Sequence, residues 1–464
     1  MPDRPNILFI LADDMGYGDF GATSGGLSET PALDVLMAEN LCLTQHYAAS
    51  PVCNPSRAAL LTGRYPHRTG SIDTLEWRGL ERLALREVTL ADLLQRAGYA
   101  TGLVGKWHLG AFDPRYRPKA RGFQETVCFR GGMHDYWQWR IEVNDQPCRA
   151  DGRYLTDVWT DEALAFLERH HRDPFFLHVT YNAPHTPLQC PEEDVKPFAD
   201  TGKFTRAVST VYGMIRRMDH GVGRILERLE RLGLAENTIV IFTSDNGPAF
   251  GGQGEDCQTR FNCDWAGHKG VVYEGGIRVP AIVRWPAGGI AGRRDEHAMV
   301  HFCDWMPTLL AAAGLEPPRD RTVDGGDVLP VLRGEGGATC TRRFWQWNRY
   351  TPRVEQNAAM RDGPWKLVRP GVHHSRITPQ DNEWLRTSMY NYDYFLEHGV
   401  VRERDPGLDR PAPAEPQLFN LDEDPHEARD LSAREPARLA RMLGDLQNWF
   451  DEVEAERRTI ADAW

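Results

Sequence analysis

Four side chains that carry oxygen ligands stand at the ends of two apolar runs of the sequence. Asp13 and Asp14 follow "NILFILA", and Asp245 and Asn246 follow "NTIVIFTS". Carboxylate and amide oxygens suit a hard divalent cation such as calcium or magnesium, and they suit zinc or copper poorly. An aspartate pair after a strand can also cap a helix or form a turn. Two acidic strand ends in one sheet favour a metal site.

Basic side chains follow two further apolar runs. Lys106 and His108 end "YATGLVGKWH", His185 ends "PFFLHVTYNAPH", and Lys269 lies in "GHKG". A lone lysine is usually a solvated charge, and a lone histidine is often structural. Four such groups beside a cation, in a chain of net charge -12, describe a pocket for a tetrahedral oxyanion. If "GKWHLG" is extended, Lys106 and His108 point to the same side.

The elements that must position these groups alternate between strands and helices. The four apolar runs have the composition of buried strands, and helices are predicted over 89–98, 160–170 and 211–233. This alternation predicts an α/β fold with a large, mostly parallel sheet sandwiched by helices. Ligands of such sheets bind beyond the carboxyl ends of the strands, where the polar side chains lie.

The sequence pattern changes near residue 335, which divides a catalytic domain, 1–335, from a smaller α+β domain, 336–464. Strand-like pieces, "RRFWQWNRY" and "NAAMRDGPWKLVRP", predict a short antiparallel sheet. A Pro-rich surface loop is predicted at 405–416, and a closing helix at 434–456. We expect the smaller domain to contribute to the substrate pocket.

Composition excludes several classes of protein. The 464 residues are 41% hydrophobic and 26% charged, as in globular proteins, and no apolar run reaches the roughly 18 residues of a membrane span. The net charge of -12 argues against a nucleic-acid partner. Nine scattered cysteines without a CxxC pair favour reduced thiols. The start "MPDRPNILFILADD" lacks the features of a secretory signal, so a cytoplasmic location is expected, unless a signal has been trimmed from a periplasmic or secreted protein.

Cys53 lies in "SPVCNPSRAALLTGR", where it could be a small buried hydrophobe, half of a disulfide or a soft-metal ligand. "CNPSRAALLTGR" resembles the signature of the type I sulfatases, Cys-x-Pro-Ser-Arg followed by Leu-Thr-Gly-Arg. The segments "ADD", "GKWHLG", "NAPH", "SDNG" and "GHKGVVYEGG" are similar to the other site segments of that family, in the same order. "LFNLDEDPHEARDL" resembles its closing segment.

This resemblance implies an alkaline-phosphatase-like fold and a hydrolase of sulfate esters. In that family the signature cysteine is oxidised to formylglycine, whose hydrated aldehyde is the nucleophile. The partner during maturation is a formylglycine-generating enzyme, which recognises the positions matched by Cys53, Pro55 and Arg57. The sequence contains the motif that is modified, but it does not show whether Cys53 has been converted.

The resemblance also assigns roles to the site residues. The implied ligands of Ca²⁺, or of Mg²⁺, are Asp13, Asp14, Cys53, Asp245 and Asn246. Arg57 and Lys106 would steady the hydrated aldehyde, and His108 would be the base for sulfate expulsion. His185 and Lys269 would bind sulfate and protonate the leaving alcohol, a task that suits an imidazole near neutrality.

Two aromatic segments bear on the substrate, "GGMHDYWQW" at 131–139 and "FWQWNRY" at 344–350. Aromatic faces beside hydrogen-bonding groups are typical of sites that stack on sugar rings. The candidate substrate-binding residues are His134, Asp135, Trp137, Asn348 and Arg349. They favour a sulfated carbohydrate, and an acidic one if Arg349 engages it. The alternative is that these tryptophans pack between the two domains.

Two other functions compete with a sulfatase. The first is a phosphonate monoester hydrolase or phosphodiesterase of the same superfamily, against which Asn246 and Lys269 argue by resemblance. The second is a catalytically silent carbohydrate-binding protein on the same fold. A missing nucleophile or ligand would favour the silent protein, and none of the matched positions is missing.

Overall fold

The computed structural model describes residues 4–252, 255–336 and 340–461. Most of the strands are short, and the long buried ones belong to one central sheet. The strands are β1 Asn6–Ala12, β2 Leu41–Leu43, β3 His46–Tyr47, β4 Ala100–Lys106, β5 Glu125–Phe129, β6 Arg140–Val143, β7 Gln146–Arg149, β8 Phe175–Thr180, β9 Thr238–Ser244, β10 Gly251–Gly252, β11 Glu255–Asp256, β12 Ala281–Arg284, β13 Arg294–Glu296, β14 Val300–His301, β15 Arg342–Gln346, β16 Ala358–Asp362, β17 Trp365–Arg369 and β18 Gln417–Asn420.

Helices fill most of the connections between these strands. The α-helices are α1 Gly21–Ser24, α2 Pro31–Glu39, α3 Cys53–Thr62, α4 Pro66–Thr69, α5 Leu90–Arg96, α6 Leu155–His170, α7 Glu192–Ala199, α8 Arg206–Arg231, α9 Glu274–Ile277, α10 Phe302–Ala312, α11 Leu329–Arg333, α12 Pro379–Tyr390, α13 Asp393–His398 and α14 Pro436–Arg457. Short 3-10 helices occupy Tyr17–Asp19, Glu76–Arg78, Pro114–Tyr116, Pro118–Arg121, Ala235–Asn237 and Pro286–Gly288. Among the residues described, none of the helices combines the length and apolarity that crossing a membrane requires.

The central sheet has ten strands in the order β13-β2-β12-β9-β1-β8-β4-β5-β6-β7. Its middle, β9-β1-β8-β4-β5, is parallel, while β12, β6 and β7 run antiparallel to their neighbours. The four apolar runs of the sequence are β1, β4, β8 and β9, and they lie side by side. Continuous apolar runs are expected for strands that are buried on both faces. The predicted α/β fold is confirmed.

Helices cover both faces of the sheet, as predicted. Phe9 of β1 belongs to a cluster with residues of α3, α5, α10 and α14 on one face. Leu8 and Ile10 belong to a second cluster with residues of α6 and α8 on the other face. Neighbouring side chains of a strand point to opposite faces, so one strand supplies both clusters.

Two helices begin earlier than the sequence predicts. Helix α6 starts at Leu155 and not near 160, because Leu155, Val158 and Trp159 are all buried and extend the apolar face by one turn. Helix α8 starts at Arg206 and not near 211, where the side chain of Thr205 caps it by accepting from the amide of Val208.

The smaller antiparallel sheet has the order β15-β16-β17-β18, and the predicted strand pieces supply its first three strands. Helix α14 packs beside β16 and β17 and closely matches the predicted closing helix. The long connection 371–416 between β17 and β18 contains α12 and α13, which the sequence did not predict. Its Pro-rich part at 405–416 has neither helix nor strand. The boundary near 335 stays a prediction.

Candidate active site

Strands β1 and β9 bring the four oxygen-bearing side chains together. The two strands are parallel neighbours, and Ala12 pairs with Ser244, so the residues that follow them meet at one edge of the sheet. Asp14 has a φ of 69° and its amide donates to Asp245 Oδ1 at 3.3 Å. Asn246 Nδ2 donates to Asp14 Oδ1 at 2.8 Å. The predicted convergence of the two acidic strand ends is therefore seen directly.

The donor atoms at this edge fit a hard divalent cation. Asp13 Oδ1 and Asn246 Oδ1 are buried and have no hydrogen-bond partner in the described chain. Ligand atoms of Asp13, Cys53 and Asp245 lie within 4.8 Å of one another, and those of Asp13, Asp14 and His185 form a second such group. A buried acceptor without a partner is costly, and a cation would satisfy these oxygens.

Two buried cations balance the carboxylates on the Cys53 side of the cluster. Lys106 Nζ, at the end of β4, donates to Asp13 Oδ2 at 2.7 Å. Arg57, one turn into α3, places Nε 2.8 Å and Nη2 2.7 Å from Asp245 Oδ2. Burial and the charge of Asp13 raise the pKa of Asp245 to about 6, against the opposing effect of Arg57. Burial and the nearby carboxylate of Asp13 both disfavour the charged form of Asp245, so more positive charge here would stabilise it.

Lys269 completes the ring of cations on the opposite side. Its Nζ lies 2.8 Å from Asp14 Oδ1 and 2.8 Å from Asp14 Oδ2, and its side chain is 20% exposed. Burial would raise the pKa of Asp14, but Lys269 and His185 outweigh it and hold this pKa well below its usual value. Asp14 in turn raises the pKa of Lys269 against the effect of burial. Lys269 is the partly open member of the ring and faces the approach to the site.

Cys53 is the first residue of α3 and is 2% exposed. The amino end of a helix carries partial positive charge, which favours an anion there. Burial nevertheless raises the pKa of the Cys53 thiol, although Lys106 and Lys269 lower it. The unmodified thiol stays protonated at neutral pH and is a weak nucleophile. All nine cysteines lie in the described residues and are free.

His108 lies beyond the end of β4, whose strand stops at Lys106. The expected extended path does not continue through His108, because its φ is 57°. Neither ring nitrogen has a hydrogen-bond partner in the described residues. Burial, then the charges of Lys106 and Arg57, hold the pKa of His108 well below its usual value. The imidazole is therefore neutral at pH 7 and free to accept a proton.

Glu76 is a neighbour of His108 that the sequence did not single out. Its Oε2 lies 3.9 Å from His108 Nε2 and accepts from the amide of Gly132 at 2.6 Å. Burial raises the pKa of Glu76. No local pattern in "SIDTLEWRG" marks this residue, since its position depends on the fold alone.

His185 follows β8 and faces Asp14. Its Nε2 lies 3.8 Å from Asp14 Oδ2, and its Nδ1 contacts the carbonyl oxygen of Thr186 at 2.7 Å. Burial and Lys269 lower the pKa of His185 to about 3, so the ring is uncharged at neutral pH. An anion bound beside His185 would counter the field of Lys269 and raise this pKa.

The segment 131–139 begins against the site and then leads away from it. A side-chain carbon at Gly132 would lie 2.8 Å from His108 Nε2. His134 is buried, and its Nε2 lies 2.8 Å from the carbonyl oxygen of Arg140. Asp135 Oδ1 accepts from the amide of Trp137 at 2.8 Å. His134 and Asp135 thus brace the segment, while Trp137 stands 39% exposed.

The segment 344–350 leaves Arg349 partly exposed and buries its neighbours. Asn348 is 1% exposed, and its Oδ1 accepts from Gln346 Nε2. The Arg349 guanidinium lies 5.0 Å from the ring centre of Trp347, and its Nη1 donates to Asp73 Oδ1 at 2.7 Å. Trp347 itself is buried. The Arg349 side chain is therefore 20% exposed and paired with the buried Asp73, while Asn348 and Trp347 are buried beside it.

Comparisons with known proteins match this arrangement to one family. The family model described as Sulfatase matches residues 5–315, and the model described as N-sulphoglucosamine sulphohydrolase, C-terminal, matches residues 265–375. Human N-acetylgalactosamine-6-sulfatase is 38% identical over 359 residues, which are 71% of this chain and 66% of the human protein. The chain thus spans slightly less than two thirds of that relative.

Two further proteins are similar over most of the chain. The arylsulfatase of Hemicentrotus pulcherrimus is 33% identical over 93% of this chain and 78% of its own length. The crystal structure of Ps i-CgsB in complex with k-i-k-neocarrahexaose superposes with a TM-score of 0.79 at 29% identity, covering 96% of this chain and 93% of that one. The family model covers more than half of the chain, and these relatives are more than 30% identical to it, so the chain belongs to the sulfatase family.

Proposed function

We propose that this protein is a sulfuric ester hydrolase that removes sulfate from a sulfated saccharide, using formylglycine formed at Cys53 and a bound Ca²⁺ or Mg²⁺. The observation that carries the proposal is the position of Cys53. It lies at the amino end of α3, within 4.8 Å of ligand atoms of Asp13 and Asp245, in a ring of buried cations. This is a site for an anion, although the whole chain carries a net charge of -12.

The site residues divide into those that hold an anion and those that move protons. When present, formylglycine supplies a hydroxyl nucleophile from its hydrated aldehyde, and the divalent cation supplies charge that lowers the pKa of that hydroxyl and neutralises sulfate oxygens. Arg57 and Lys106 pair with Asp245 and Asp13, the two carboxylates grouped with Cys53, and the more exposed Lys269 pairs with Asp14. These fixed charges stabilise negative charge that develops on the sulfate oxygens without having to reorganise.

Two histidines are placed for proton transfer on opposite sides of this anion site. His108 has two unpartnered ring nitrogens and is neutral, so it can take a proton from a hydroxyl at residue 53. His185 shares Asp14 with Lys269, and the charged Lys269 can direct a proton toward the oxygen of a leaving alcohol. His185 can do the same once a bound anion raises its pKa and the ring gains a second proton. Overall, the S–O bond of the ester breaks, the alcohol oxygen gains a proton, and water supplies the new oxygen of sulfate.

The proposed saccharide substrate rests on relatives and on an aromatic cavity along the segment 131–139. One relative is named for N-acetylgalactosamine-6-sulfate chemistry, and one solved neighbour holds k-i-k-neocarrahexaose. Trp137 and Tyr390, both exposed, line one cavity of about 430 Å³ together with polar side chains. Exposed rings among hydrogen-bonding groups are the surface on which sugars stack.

The test joins a mass measurement to a rate measurement. The protein is produced with and without a formylglycine-generating enzyme, and the peptide containing Cys53 is weighed by mass spectrometry. We expect the converted protein to show the thiol-to-aldehyde mass difference and to hydrolyse an aryl sulfate. Cys53→Ala and unconverted protein should both be inactive. Equal activity of Cys53→Ala and converted protein would refute the mechanism.

Matched substrates separate the proposal from its two alternatives. A phosphonate monoester hydrolase or phosphodiesterase would prefer aryl phosphonate or phosphodiester to aryl sulfate of the same leaving group. A catalytically silent protein would bind sulfated saccharide and turn over none of these esters after full conversion. We expect the sulfate ester to have the highest kcat/KM of the set. We also expect the converted protein to release sulfate from members of a panel of sulfated saccharides.

A further inference from the structure

Three arginines, Arg349, Arg353 and Arg410, lie close together near the smaller sheet. We call the surface that they form, with Trp347 and His374, the rim. Arg410 Nη2 donates to the carbonyl oxygen of Arg349 at 3.2 Å, and the amide of Arg353 donates to Asn348 Oδ1 at 3.2 Å. They come from two separate parts of the sequence, the segment after β15 and the Pro-rich loop. Neither Arg353 nor Arg410 is among the candidate site residues predicted from the sequence, and Arg410 lies beyond both matched family models.

These arginines carry more positive charge than their surroundings neutralise. Arg349 pairs with Asp73 at 2.7 Å, but Arg353 and Arg410 form no ion pair with any carboxylate that the structure describes. Arg349 Nε, Arg353 Nε and Arg410 Nη1 are buried atoms without a hydrogen-bond partner in the described residues. Burial and then the charge of Arg353 lower the pKa of Arg410. Asp405 and Asp73 oppose this effect, but the buried guanidinium nitrogens still have no partner, and such unsatisfied donors favour a bound anion.

Two neutral histidines lie between Arg349 and the catalytic centre. Burial, Arg349 and His268 lower the pKa of His374 to about 4, and the amide of Arg349 donates to the carbonyl oxygen of His374 at 3.0 Å. His268 directly precedes Lys269 in the sequence. Arg349, whose carbonyl oxygen Arg410 contacts, therefore adjoins the segment that carries Lys269 through His374.

Contacts of Gly270 place the neighbours of Arg349 beside the segments that carry Lys269 and Cys53. A side-chain carbon at Gly270 would lie 3.7 Å from Trp347 and 3.6 Å from His374 Nε2. The amide of Gly270 donates to the carbonyl oxygen of Pro51 at 2.8 Å, two residues before Cys53. A sugar whose sulfate occupies the pocket would project its next ring or substituent over this rim.

We propose that the substrate carries a second anionic group, a carboxylate or a sulfate, which Arg349, Arg353 and Arg410 bind. This inference rests on the proposed function, because it describes the part of a sulfated saccharide that remains outside the sulfate pocket. Guanidinium forks bind carboxylate and sulfate oxygens in a bidentate way, so either group fits. The substrate class is then an acidic or multiply sulfated saccharide, and a neutral sugar with a single sulfate is a poor substrate.

The test compares three monosulfated or disulfated disaccharides with the converted enzyme. The reference carries one sulfate and a neutral neighbouring sugar, the second replaces that neighbour by a uronic acid, and the third adds a sulfate to it. We expect at least one anionic partner to raise kcat/KM by about tenfold or more over the reference. If the uronic acid substrate gives the larger increase in kcat/KM, the bound group is a carboxylate. If the disulfated substrate does, the bound group is a sulfate. Added salt should lower kcat/KM for the dianionic substrate more than for the reference.

Variants test whether the arginines cause this preference. Arg353→Gln and Arg410→Gln should each reduce the dianionic-to-reference ratio severalfold, and together they should bring it close to one. Arg319→Gln removes the same charge from a side chain that is 84% exposed and should retain the wild-type ratio. Both kcat/KM values of the ratio are measured on the same preparation of each variant. A smaller folded fraction lowers both values equally and leaves their ratio unchanged.

The outcomes separate this inference from the function on which it rests. If the enzyme hydrolyses aryl sulfate but shows a ratio near one, or if both arginine variants keep the wild-type ratio, the second anion site is wrong and the sulfatase function stands. If fully converted protein hydrolyses no sulfate ester at all, the proposed function fails, and the inference fails with it.

Discussion

Lys269 Nζ lies 2.8 Å from each carboxylate oxygen of Asp14, one of three carboxylates that converge at the edge of the central sheet. The other two carboxylates have their own cations, Lys106 for Asp13 and Arg57 for Asp245. Protein cations thus neutralise much of the charge, but two buried oxygens keep no partner in the described chain. The site is arranged for one more positive charge.

Removing divalent cations should therefore lower both activity and stability. A cation that binds only the folded site stabilises it by mass action, about 2.7 kcal/mol at a hundredfold excess over Kd. We expect treatment with a chelator to lower the melting temperature and abolish sulfate-ester hydrolysis, and Ca²⁺ or Mg²⁺ to restore both. Differential scanning calorimetry and an aryl sulfate assay measure the two effects. Recovery with zinc alone would contradict the argument from oxygen ligands.

A buried lysine joins the smaller sheet to the segment that carries Lys269. Lys366 Nζ lies 2.9 Å from Glu274 Oε1 and 2.8 Å from Glu427 Oε1, and both ion pairs are fully buried. Burial and Glu274 raise the pKa of Glu427 to about 7, while Lys366 lowers it. Lys366→Met leaves two buried carboxylates facing each other, so we expect a loss of about 3–5 kcal/mol of unfolding free energy. Urea denaturation measures this loss.

Glu427→Gln is the matched variant for Lys366→Met. It removes one of the two carboxylates and leaves Lys366 paired with Glu274, so its cost should be clearly smaller. Equal destabilisation by the two substitutions would show that the shared lysine does not hold this network together.

The amino end of α12 should respond to acid through Asp381. Burial would raise the pKa of this carboxylate, but hydrogen bonds to it lower the pKa to about 2. The donors are Arg78, Thr378, Tyr350 and Trp77. Because the folded pKa lies below the unfolded one, the stabilisation is complete above about pH 4 and is lost as the pH falls toward about 2.

The measurement compares wild type with Asp381→Asn. We expect wild type to be more stable to urea near neutral pH, and the difference to shrink as the pH is lowered through the range just given. A difference that stays constant with pH would mean that the charge of Asp381 is not what holds α12.

Trp137 should matter for saccharides and not for small aryl sulfates. Trp137 is 39% exposed and Tyr390 is 59% exposed, and they border the same cavity. Loss of one stacking surface costs roughly 1 kcal/mol, so Trp137→Ala should lower kcat/KM for a sulfated oligosaccharide by about fivefold. Val35→Ala, which trims another exposed apolar side chain on α2, serves as control. Equal losses of Trp137→Ala on both substrates would place this residue outside the saccharide path.

The central sheet and its acidic edge could be predicted because their causes are local. Apolar runs such as "NILFILA" show strands that are buried on both faces, and parallel strands bring their carboxyl ends together. The early start of α6 was missed because its first turn mixes buried and polar residues. The long connection 371–416 was missed because its short helices lack a long apolar period.

The sequence alone determined which groups converge at the site: the aspartates after β1 and β9, the lysines and histidines, and a cysteine in a recognisable signature. Only the tertiary structure decided how they pair, because a pair such as Arg57 and Asp245 is 188 residues apart in the chain. It also showed that His134 and Asp135 brace their own loop, and that Glu76 faces His108. The partner of each side chain and the pKa of each titratable group depend on burial and on distances between side chains. Both arise only when the chain folds.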